Sequence, residues 1–182
     1  MVELRGYFSL YETALLSLIG AMVFVLNRLF EIPLHLPGSS GIYWVIPVII
    51  GVRVVRKPGA GLYIGLISGV LASFFGNDPL HLFDLFKYLA LGGAIDLTAL
   101  IFGYQFTNPL VGFIGGVFGN MAKMVVNYGV QFFFGVQTNL ILIGIGVASV
   151  THLIFGGIGG ILASLVLRRL LKAGVIEADE RT

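Results

Sequence analysis

The chain has no cysteine, which excludes disulfides and thiolate metal sites. It has little charge. Only 11% of its 182 residues are Asp, Glu, Lys or Arg, where a soluble domain carries about a quarter. There is one tryptophan, Trp44, and the three histidines (His35, His81 and His152) are scattered rather than paired. The sequence contains no GxxxxGK[ST] phosphate loop, no GxSxG nucleophile elbow and no HExxH zinc pair. These absences exclude a phosphate-loop ATPase, an elbow-type hydrolase and a zincin. No cofactor, no metal and no catalytic residue is expected.

What is present points to lipid as the solvent. The chain is 57% apolar, contains 26 glycines and has a mean hydropathy of +0.98. A soluble core has no room for so much apolar surface. The net charge of +2 and pI near 9.0 do not indicate nucleic acid, because the basic residues stand at the ends of apolar segments. The length suits one domain, 1–182.

Six apolar segments follow: 9–30, 42–55, 60–75, 82–102, 109–134 and 140–171. The expected fold is an all-α integral membrane bundle of six transmembrane helices. The second and third segments fall short of the ~20 residues of a perpendicular crossing, and Arg56-Lys57-Pro58-Gly59 joins them in a tight turn. Two crossings are expected there, with a re-entrant hairpin as the alternative. The first segment is too long for a signal-peptide core and no small-residue cleavage site follows it, so it is expected to remain. Placing both ends in the cytoplasm puts Arg5, Arg53, Arg56, Lys57, Arg168, Arg169, Lys172 and Arg181 there, eight of eleven basic residues. The positive-inside rule therefore gives N-in, C-in.

Small residues recur every fourth position: Gly61, Gly65 and Gly69; Gly112 and Gly116; Gly115 and Gly119; Gly156, Gly160 and Ser164. Such stripes let backbones approach closely in lipid. On the fifth span Asn120, Lys123, Asn127 and Gln131, with Tyr128 beside them, place a polar stripe on an otherwise apolar helix. Lys123 lies roughly 20 Å from the inner end at 1.5 Å per residue. A buried lysine is costly, so the stripe reads as the wall of a cavity open to the outside. Packing through hydrogen bonds between helices is the alternative.

Other candidates face the same interior. Asp84, Lys87 and Tyr88 open the fourth span and Asp96 lies deeper, while His152 on the sixth has a depth similar to Lys123. Asp96 and His152 are expected to pair at the pocket floor, and Asp84 with Lys87 is equally readable as a surface pair. Trp44 serves either an interfacial belt or a stack against a flat ligand. The connections 31–41 and 76–83, punctuated by Pro and Gly, are placed to cover a cavity mouth.

The stretch "IYWVIPVIIGVRVVRKPGAGLYIGLISGVLASFFGNDP" (42–79), with "LGGAIDLTALIFG" (91–103) and "THLIFGGIGGILASL" (151–165), resembles the substrate-binding S component of energy-coupling factor (ECF) vitamin importers. The thiamine-precursor, YkoE-type branch is the nearest likeness, and the Arg56–Ala60 block is its specific part. The resemblance implies a prokaryotic cell-membrane protein without ATPase activity that binds a vitamin or precursor from outside. It further implies a transmembrane coupling subunit and two ATPase subunits as partners. The family's AxxxA contact with the coupling subunit falls at Ser17 and Ala21, preceded by Thr13. Lys123 departs from what cationic thiamine asks for and suits a neutral pyrimidine or an anion. A secondary transporter using Lys123, Asp96 and His152 as a proton relay is the alternative, followed by a small membrane enzyme.

Overall fold

The computed structural model describes residues 7–29, 38–76 and 80–176. Arg5, Arg181, His35 and most of the 31–41 connection lie outside them, as do residues 77–79 of the second connection. The six helices are α1 (Leu10–Leu29), α2 (Gly41–Val55), α3 (Ala60–Phe75), α4 (Asp84–Ile101), α5 (Pro109–Phe133) and α6 (Thr138–Lys172). Each end falls within two residues of the apolar segment read from the sequence. A 3-10 turn, His81–Phe83, leads into α4, and there is no strand among the described residues.

The helices run alternately up and down. Lys57 in the α2–α3 turn meets Glu12 of α1 at 2.6 Å. Arg168 Nε of α6 donates to the Thr107 carbonyl in the α4–α5 turn at 2.8 Å. The start of α1, the two turns and the end of α6 therefore share one end of the bundle, which also carries Arg53, Arg56, Arg169 and Lys172. We call it the basic end.

Local chemistry fixes the helix ends. Ser9 and Glu12 form a capping box at α1: the Ser9 amide donates to Glu12 Oε2 at 2.7 Å, and the Glu12 amide to Ser9 Oγ at 3.2 Å. Asn108 caps α5 by accepting from the Leu110 amide at 3.0 Å, with Pro109 at the first helical position. Arg56 closes α2 in the left-handed conformation, its amide bonded to the Val52 carbonyl.

α2 is the centre of the molecule. It touches all five other helices, and ten of its fifteen residues are buried. That explains its composition, which is apolar all round rather than on one face. α1, α5 and α6 are each long and apolar enough to cross a membrane; α2 and α3 are shorter apolar helices.

Glycine decides the helix contacts at the basic end and mid-depth. A Cβ at Gly112 or Gly116 would strike the backbone of Gly160 or Gly156, and one at Gly61 would strike the Gly92 carbonyl. The α5–α6 and α3–α4 pairs are therefore packed backbone to backbone.

Candidate ligand site

Five side chains from four helices converge in the half of the bundle away from the basic end. α2 brings Trp44 one turn from its start, α4 brings Tyr88, α5 brings Asn120 and Lys123, and α6 brings His152. All are buried; Lys123, at 9% exposure, is the most accessible.

Asn120 ties three helices together. Its Oδ1 accepts from Trp44 Nε1 at 3.1 Å, and its Nδ2 donates to the His152 carbonyl at 2.9 Å. One amide thus satisfies a buried indole N–H and adds a second donor to a carbonyl of the α6 ladder. The close fit needs glycine on α2, since a Cβ at Gly41 would overlap the Asn120 amide. Gly38 is required twice over: its φ is +76°, and a Cβ there would run into the His152 ring. His152 Nδ1 lies 2.8 Å from the Ala148 carbonyl one turn earlier.

Lys123 lies over two aromatic faces. Its Nζ is 3.2 Å from the Trp44 ring centroid and 3.8 Å from that of Tyr88. The two rings meet edge to face, with centroids 6.3 Å apart and planes at 83°. Two walls of an aromatic box thus enclose the ammonium, each offering the negative face of a π system. Trp44 is an interior anchor and not an interfacial belt residue.

The other candidates are placed differently. Lys87 and Asp84 form an i,i+3 ion pair at 2.8 Å at the start of α4, and it is mostly buried rather than on the surface. Asn127 and Gln131 are half-buried farther up α5. Tyr128 turns to another face of α5. It packs toward Gly144 of α6 and lines an apolar groove with Met124, Phe132 and Ile141.

Asp96 does not meet His152. Its two carboxylate oxygens accept from the Gly61 and Leu62 amides, each at 2.9 Å. The residue before α3 is Gly59, which has no side chain to cap the helix, so Asp96 of the neighbouring helix supplies the missing acceptor. The expected pair at the pocket floor is replaced by a helix cap toward the basic end. The signal in the sequence was the uncapped Gly-Ala-Gly start of α3.

The Thr13, Ser17 and Ala21 strip is half-buried. Ser17 Oγ donates to the Thr13 carbonyl at 2.8 Å and lies 3.3 Å from the Tyr63 hydroxyl, so its polar atom faces α3 within the same chain. α1 and α3 also approach closely at Gly20, whose carbonyl accepts from Ser68 Oγ at 2.9 Å. The outward face of α1 instead carries Tyr11, Leu18, Met22 and Val25.

Comparison with known proteins places this architecture. A crystal structure described as an S-component of an ECF transporter superposes with a TM-score of 0.62 and 21% identity, over 92% of this chain and 88% of that one. At that identity the likeness is one of fold. No curated protein matches the chain. The family described as "ABC-type cobalt transport system, permease component" matches residues 10–122, covering Trp44, Tyr88 and Asn120 and ending one residue before Lys123. With more than half of its length matched, the chain belongs to this family of transport-system permease components, a membrane transport protein and not an enzyme.

Proposed function

We propose that the chain is the substrate-capture subunit of an ECF-type importer in a prokaryotic cell membrane, oriented with both termini in the cytoplasm. It binds a vitamin or vitamin precursor from the outside, and a thiamine-related pyrimidine is the best candidate. Energy comes from a separate coupling subunit and two ATPase subunits.

The observation that carries this reading is the buried cluster of Trp44, Tyr88, Asn120, Lys123 and His152 within a fold shared with an S-component. The basic end supports the orientation, and the cluster lies in the opposite half. Two aromatic rings and a few convergent polar groups suit a small flat ligand. A proton relay through Lys123, Asp96 and His152 is disfavoured, because the Asp96 carboxylate is committed to the amides of α3.

Mass spectrometry of small molecules that copurify with the detergent-solubilised chain tests the ligand class, and a pyrimidine is the expected find. Uptake in vesicles tests the mechanism. Accumulation that persists without the ATPase subunits would overturn the capture reading.

A further inference from the structure

The basic end carries a second site, on the outside of the bundle and apart from the ligand cluster. We propose that the face of α6 formed by Leu162, Leu165, Val166, Arg168, Arg169 and Lys172 binds one anionic phospholipid. The basic residues hold its phosphate, and an acyl chain lies along the apolar ones. The inference stands whatever ligand the interior cluster takes.

Helical spacing puts these residues together. Positions 162, 165, 166, 169 and 172 recur every third or fourth residue and so share one face, with Arg168 on its flank. Their side chains enclose a shallow concavity of about 470 Å³. Leu162, Leu165 and Val166 are 39%, 45% and 39% exposed, while Ala163, Ser164 and Leu167 on the other side of the same turns are buried. The face is turned away from the bundle. Length sets its depth. α6 is one helix of 35 residues, roughly 52 Å at 1.5 Å per residue, against about 30 Å of hydrocarbon and 40–45 Å of whole bilayer. Arg168, Arg169 and Lys172 stand roughly 45–51 Å from its start, at headgroup depth, and the leucines lie toward the hydrocarbon. Cations followed by apolar side chains match the order of a phospholipid, head and then tail.

The chain itself makes little use of these charges. Lysines and arginines at a helix end often cap its last carbonyls, but here the backbone does so. The amides of Ala173, Gly174 and Val175 donate to the carbonyls of Arg169, Leu171 and Leu170, with Gly174 in the left-handed conformation. Lys57, at the same end, is paired with Glu12 at 2.6 Å. Arg169 and Lys172 have no side-chain hydrogen bond or ion pair among the described residues. Arg168 is held differently. Its Nε donates to the Thr107 carbonyl at 2.8 Å, which fixes the guanidinium and leaves both Nη groups to donate outward. A planar, fixed guanidinium suits the paired oxygens of a phosphate. A zwitterionic headgroup would bring its own ammonium up to three cations. A phosphate diester without an amine, as in phosphatidylglycerol, does not.

Native mass spectrometry of the full chain in detergent counts bound lipids singly, so Glu177, Asp179 and Glu180 at the end of the sequence compete as they do in the membrane. The probes are dioleoyl phosphatidylglycerol and dioleoyl phosphatidylcholine. The first phosphatidylglycerol is expected to bind at least about tenfold more tightly than the first phosphatidylcholine. Arg169→Gln with Lys172→Gln should reduce that preference to about threefold or less, while Lys57→Gln at the same end leaves it intact. Should the double variant not fold, Arg169→Gln alone is expected to weaken the preference at least about threefold. Equal binding of the two lipids by wild-type protein overturns the proposal. An equal loss in Lys57→Gln also overturns it, because the summed charge of the end would then attract lipid without a site. Displacement of the lipid by inorganic phosphate would make this a soluble-anion site and end the lipid assignment. A photoreactive amino acid in place of Leu165, activated in intact cell membranes, should capture phospholipid. Capture of a protein subunit instead would put a partner on this face and overturn the proposal.

Discussion

The two halves of α5 solve different problems. From Pro109 to Gly119 the helix offers Gly112, Gly115, Gly116 and Gly119 to its neighbours, and every one is in close contact with α4, α6 or Phe106. From Asn120 to Phe133 it offers long side chains, and a Cβ at Gly129 would meet nothing within 4 Å. The first half is fixed by backbone contact with α6 at Gly112 and Gly116 and by side chains closing on Gly115 and Gly119. The second is held by its own side chains, and Gly129 is exposed on the outside of the bundle. Polar groups sit where the packing changes character, and Asn120, fully buried, is the first of them.

The sharpest way to break that contrast is Gly116→Leu. Its side chain has nowhere to go against the Gly156 carbonyl and the Gly160 amide. Backbones cannot repack as side chains do, so the expected loss is about 3 kcal/mol or more, seen as failed folding or a large drop in Tm in detergent. Gly129→Leu, on the same helix, meets no neighbour at its Cβ and should not lower Tm. Similar losses at the two sites would remove the distinction between the halves.

Asn120→Ala is expected to cost about 2 kcal/mol, because it strands the Trp44 indole N–H in the interior and removes the bond to the His152 carbonyl. Ligand affinity should fall with it, since the Trp44 ring loses its anchor. A variant of wild-type stability would mean that the amide is not the tie between α2 and α6.

Asp96→Asn weakens the cap on α3 and should cost about 1–2 kcal/mol. Combined with His152→Gln, the effects should add to within about 0.5 kcal/mol, because the two side chains serve different ends of the bundle. Strong coupling in the thermal-unfolding cycle would restore the pairing that residue counting suggested. The smallest expected effect is Gly129→Ala. It meets no neighbour and should stabilise α5 by up to about 1 kcal/mol through helix propensity.

The sequence made the helices legible and the tertiary roles of several polar residues illegible. Hydropathy and the Arg56–Gly59 turn locate all six helices, since chains in lipid must satisfy their backbone within helices. The spacing of Asn120 and Lys123 places both in the cluster. The same spacing fails above them, where Tyr128 turns to an apolar groove and Asn127 and Gln131 are only half-buried. Counting 1.5 Å per residue puts Asp96 near the level of His152, but depth along an axis does not say which neighbour a side chain reaches. The deciding fact was the absence of a capping side chain before α3, whose Gly61 amide stands 35 residues away from Asp96 in sequence. Ser17 is a related case: a flat strip can face inward or outward, and the Ser17 hydroxyl lies 3.3 Å from that of Tyr63 on α3 while the strip stays half-buried. That Trp44 would carry a box and not a belt was beyond reach, because the Lys123 contact joins residues distant in sequence.

The amide of Asn120 has an implication for how such a protein changes over generations. Replacing Trp44 by a ring without an N–H strands Asn120 Oδ1 in the core, and replacing Asn120 first strands the indole. Each single step passes through a less stable intermediate, so a change at either position favours a compensating change at the other.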